Sequence, residues 1–163
     1  MISADLLIRL YTKTYENIRQ QTAGLTHEDS VRQFSFGGNC LNWNLGHIVV
    51  SRWNILALLG NQEDIWNFEE ARRYIPSSAP ILNAEEAIAL EKLLSILEQT
   101  QVLLVTTLGE MTEDQLSSPV ENGIMASSLA DELAYYQTHE AYHAGQIESG
   151  RRLAGKQEAI DFH

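Results

Sequence analysis

The sequence predicts an all-α fold, a single four-helix bundle with a long crossover between its second and third helices. Three observations carry that prediction. Apolar residues recur at three- and four-residue steps in four separate stretches, the spacing of one helix face. Runs that alternate apolar and polar residues between turn signals are scarce. The longest stretch without helical periodicity, residues 61–82, falls between the second and third of these segments. A length of 163 residues suits one domain, 1–163, with a real core.

The first helix is expected from about Ser3 to Gln21. Ser3 is a capping residue and Asp5 favours the positive end of the helix dipole. Leu7, Leu10, Tyr11, Thr14 and Ile18 form its apolar face, and Gly24 with the polar stretch Thr26 to Ser30 ends it. The second is expected from about Asn42 to Leu59. One stripe holds Leu41, Leu45, Ile48, Ile55, Leu56 and Leu59; another holds Trp43, His47, Val50, Asn54 and Leu58. A helix with so little polar surface belongs in the interior. The 61–82 connection contains Pro76 and Pro80 and has room for a short helix around Asn67 to Tyr74. It is long enough to run the length of a bundle, so the third helix need not be antiparallel to the second. Asn83 with Glu86 reads as a capping box that starts the third helix, followed by Leu90, Leu93, Leu94, Leu97, Leu104 and Leu108. The fourth starts near Ser127 or Ser128, with Asp131 and Glu132 in its first turn, and reaches about Leu153.

The formal net charge is −11. So acidic a surface repels phosphate backbones and anionic bilayers, which argues against nucleic acid and membrane partners. Cys40 is the single cysteine, so no internal disulfide forms, which suits a reducing compartment. The start, Met1-Ile2-Ser3-Ala4-Asp5, lacks the basic and apolar regions of a secretory leader. A cytoplasmic protein is the expectation.

Five histidines are present: His27, His47, His139, His143 and His163. His139 and His143 stand four apart on the fourth helix, so they share a face, and two imidazoles so placed chelate a divalent ion. That face continues the core stripe of Leu129, Leu133, Tyr136 and Ile147, where unpaired imidazoles are costly to bury. His47, on the inner stripe of the second helix, is the candidate third ligand. Three histidines leave coordination positions open, as in a catalytic zinc site. His27, in a polar turn, and His163 are expected to be exposed and unrelated to the site.

His139-Glu140-Ala141-Tyr142-His143 also matches the zinc-protease pattern H-E-x-x-H, which would make Glu140 a general base in a zinc-dependent hydrolase. Gln146 and Ser149 stand where the extended pattern requires Gly and His, and no strands are in view to bind a peptide. A solvent-facing carboxylate is the alternative role for Glu140.

Asn44-Leu45-Gly46-His47-Ile48, followed by His139-Glu140-Ala141-Tyr142-His143-Ala144-Gly145-Gln146-Ile147, resembles the pattern of the DinB-like (YfiT-type) metal-dependent superfamily. The likeness spans essentially the whole chain. It implies an up-down-down-up four-helix bundle, a divalent metal, most often zinc or nickel, on His47, His139 and His143, and frequent homodimers. It also implies, for some members, S-transfer or isomerisation with a low-molecular-weight thiol acting on a small-molecule substrate. The alternative is a non-catalytic metal-binding or dimerising bundle.

No catalytic residue is identified outright; Glu140 and Gln146 are the candidates. Asn44, Asn54 and Gln146 could orient ligands around the metal. Trp43, Tyr136 and Tyr142 are candidate pocket walls. Cys40 reads as a structural thiol, and Arg72-Arg73 and Arg151-Arg152 as solvated surface charge.

Overall fold

The computed structural model describes residues 2–61, 63–121, 123–125 and 127–156. Seven α-helices and no strand occur among them: α1 Ala4–Thr22, α2 His27–Ser30, α3 Leu41–Leu58, α4 Phe68–Ala71, α5 Leu90–Gly109, α6 Glu113–Ser117 and α7 Leu129–Leu153. A 3-10 turn, Arg72–Tyr74, continues α4. No helix among the described residues is long and apolar enough to cross a membrane.

The four long helices form the bundle, and the start signals of α1 and α7 act as the sequence suggests. Ser3 accepts from Leu6 N–H, and Ser128 with Asp131 closes a full capping box on α7. The third start is different. Glu86 N–H does donate to Asn83 Oδ1, one half of a capping box, while the Glu86 carboxylate accepts from the Asn83 side-chain amide and from Leu82 N–H; yet α5 begins only at Leu90. The chain is diverted because Ile88 N–H donates to the Tyr74 hydroxyl (2.8 Å) and the Ala89 backbone is non-helical. Leu90 N–H then donates to the His27 ring. His27 is therefore half-buried and joins α2 to the start of α5, where the sequence suggested free exposure.

Side-chain contacts fix the helix directions. Tyr11 meets Leu133, Thr14 meets Gln137 and Gln21 meets Arg151, so α1 and α7 ascend together. Asn44 meets His143 and Arg52 meets Glu140, so α3 runs against α7. Asn42 meets Ile88 and Arg52 meets Gln101, so α5 descends with α3. Arg151 is buried and donates to the carbonyls of Gln21 and Ala23, which replaces the surface role expected for it.

The core has two apolar clusters. One gathers Ile18, Leu41, Leu45, Ile48, Leu93, Leu97 and Ile147; the other gathers Leu7, Tyr11, Ile55, Leu56, Leu104, Leu108 and Leu133. The candidate site lies between α3 and α7 on the first cluster's side.

Candidate metal centre

His47 sits on α3 and His139 and His143 on α7, and the antiparallel crossing brings all three together. The Nε2 atoms of His47 and His139 are 3.3 Å apart, and those of His143 and His139 are 3.2 Å apart. Ligands about 2.0–2.1 Å from a tetrahedral cation stand about 3.3–3.4 Å from each other, so the spacing fits.

The rear nitrogens decide which face is free. His47 Nδ1 lies 2.7 Å from the Tyr74 carbonyl oxygen, which can only accept, so Nδ1 carries the proton. His143 Nδ1 donates to the Asn44 Oδ1 (3.0 Å) and the Gln146 Oε1 (2.7 Å). Asn44 is held in turn: its amide donates to the carbonyls of Asn39 and Cys40. Each of these two imidazoles thus points an Nε2 lone pair at the third ring. His139 Nε2 has at most one proton to set between the two, so ring lone pairs crowd together inside a largely buried site. A cation removes that conflict, and three neutral imidazoles are the donor set for it.

Burial keeps the rings neutral. Desolvation lowers the His47 pKa, against the raising effect of the Tyr74 carbonyl. Desolvation and then the charge of His47 lower that of His139. His143 is pushed down to about 4, first by desolvation. All three are unprotonated near neutrality and ready to ligate.

Aromatic rings wall the site. Trp43 stacks on His47 at 4.8 Å and 17° between planes, and its indole N–H donates to Ser78 Oγ. Tyr142 meets His143 edge-on at 5.1 Å. The Tyr74 ring lies against Gly46, where a Cβ would come within 2.2 Å of it. Gly46 is therefore what allows Tyr74 to approach closely enough to hold His47.

The other candidate residues divide between those placed as expected and those placed differently. Glu140 is fully buried, neither solvent-facing nor turned to the histidines. Both its carboxylate oxygens accept from Arg52, Nε to Oε2 and Nη2 to Oε1, each at 2.8 Å. That carboxylate is committed to a buried ion pair, so it is not available as a general base on a water at the site. The sequence reading does not single out Arg52, although it is the one Asp, Glu, Lys or Arg in α3, a signal that it must have a buried partner. Asn54 is exposed and outside the cluster. Cys40 is buried and desolvation raises its thiol pKa, as suits a structural thiol. His163 lies outside the described residues.

Comparison with known proteins bears on the fold and the family. A solved structure titled as that of a conserved protein from Enterococcus faecalis superposes with a TM-score of 0.73. It is 18% identical, with 96% of this chain and 99% of that one covered, which establishes a shared fold. No curated protein matches the chain. The sequence description of the DinB superfamily matches residues 10–147, both histidine elements included. With its helical bundle and most of its length matched, the chain belongs to the DinB superfamily.

Proposed function

We propose that the protein is a metal-dependent transferase that holds a divalent ion, zinc or nickel, on His47, His139 and His143 and uses a low-molecular-weight thiol against a small electrophilic substrate. The supporting observation is that His139 Nε2 stands 3.2–3.3 Å from the Nε2 atoms of His47 and His143, all three ligand atoms lying within 4.8 Å of one another, with two of the rings locked from behind. Three protein nitrogens leave room for an exogenous ligand. A divalent cation held by these residues would supply Lewis acidity that favours the deprotonated form of a thiol at neutral pH. The chain's own part is to keep the imidazoles neutral, to fix the tautomers of His47 and His143 through Tyr74, Asn44 and Gln146, and to wall the site with Trp43 and Tyr142. The thiol reading is favoured over hydrolysis because Glu140, the carboxylate a hydrolase would use, is bound to Arg52. Homodimerisation in a cytoplasmic setting belongs to the same proposal.

Metal analysis of the purified protein, followed by thiol-consumption assays with a panel of electrophiles, tests it. One equivalent of metal and metal-dependent thiol consumption are expected. Stoichiometric metal with no turnover for any thiol would favour the non-catalytic, metal-binding bundle.

A further inference from the structure

Between the two apolar clusters runs a single polar layer, and every long helix contributes to it. Arg52 of α3 donates to Glu140 of α7, to Gln101 Oε1 of α5 (2.8 Å) and to the Tyr11 carbonyl of α1 (3.3 Å). Gln101 continues to Thr12 of α1 (3.1 Å). Arg52 and Glu140 are both wholly buried.

Burying an ion pair rarely gains stability over a well-packed apolar pair, because desolvation consumes the Coulombic attraction. What such a pair does well is fix register. Leucine layers are non-directional and tolerate sliding. A guanidinium fork on a carboxylate does not, because both hydrogen bonds need the same plane and the same axial position. Register is what the histidine cluster depends on. His47 comes from α3 and its two partners from α7, so a slip of one helical turn, about 5.4 Å, exceeds the whole span of the site. Its three ligand atoms lie within 4.8 Å of one another. Arg52 lies five residues from His47, and Glu140 is bonded directly to His139 along the chain.

We infer that Arg52 and Glu140 are positioning residues for the metal centre: their buried pair sets the axial register of α3 against α7 that makes His47 converge with His139 and His143. This rests on the metal reading above and adds to it a second, remote determinant of affinity.

The test is a cobalt(II) titration followed by its visible ligand-field bands, with helicity and thermal unfolding of the metal-free protein recorded alongside. In the double variant Arg52→Met, Glu140→Met neither charge is stranded. It is expected to stay helical with an equal or higher Tm, to bind cobalt at least tenfold more weakly, and to show displaced bands. Wild-type affinity and bands in that folded variant overturn the inference. Should the double variant not fold, Arg52→Lys takes its place, since one ammonium cannot hold both carboxylate oxygens in plane. Weakened binding with displaced bands is again expected, and wild-type behaviour again overturns it. If the wild-type protein itself binds no cobalt, the metal reading has failed, a result distinct from both.

Discussion

The ring of Tyr74 rests on the Cα of Gly46, so closely that an added methyl would meet three ring carbons at 2.2–2.5 Å. Gly46→Ala must therefore push Tyr74 away. That displaces the carbonyl that holds His47 and the hydroxyl that binds Asn42 and Ile88. Overpacking of this kind costs about 3 kcal/mol, roughly 6–12 °C in Tm for a chain of this size. Thermal unfolding checks the stability loss, and chelator competition checks the accompanying loss of metal affinity.

Removing a ligand separates the site from the scaffold. His47→Ala, His139→Ala and His143→Ala are each expected to weaken zinc binding by more than about 100-fold, since loss of a supporting partner alone costs about 10–100-fold. His27→Ala gives the contrast. It removes the bonds to Ala84 and Leu90, lowers stability by about 1 kcal/mol, and leaves zinc affinity unchanged. Competition with a chromogenic chelator reads the affinity in all four.

Asn44 and Gln146 share one proton on His143, so either can orient the ring when the other is gone. Asn44→Ala and Gln146→Ala should each lower metal affinity by less than about tenfold, and the double variant by about 10–100-fold. A double-mutant cycle measures the coupling. Strict additivity would show that one of the two does not act through the ring.

Acid should destabilise the metal-free protein through these same rings. Because folding lowers their pKa values, the unfolded chain binds more protons over the window from the ordinary histidine value down to about 4 for His143. Stability is then full above pH 6.5 and falls as pH drops through that window, by about 3 kcal/mol for His143 alone. Urea unfolding of the metal-free protein between pH 7 and 4 measures this. In His143→Ala the slope should be shallower.

Much of this was legible in the sequence, and for a physical reason. The four long helices announce themselves by local periodicity, and His139 with His143 share a face because helix geometry alone decides it. Placing His47 opposite them needed only the inner stripe of α3. Information carried by distant chain was harder to read. The Asn83–Glu86 turn has a helix-start signature, but Tyr74 and His27 hold the following residues out of helix. The short helices α2 and α6 were not anticipated, although Thr26 and Thr112 each close a capping box. Glu140 reads locally as a surface carboxylate and becomes a core residue only because Arg52, 88 positions earlier, faces it. The backbone carbonyl of Tyr74 leaves no mark in a sequence at all.

Two of the three ligating rings are clamped from the rear; the third, His139, has no described partner on its Nδ1 and is only half-buried. In the proposed metal site that asymmetry would leave one adjustable jaw: cations of different radius would be met by swivelling one side chain while both helices stay still.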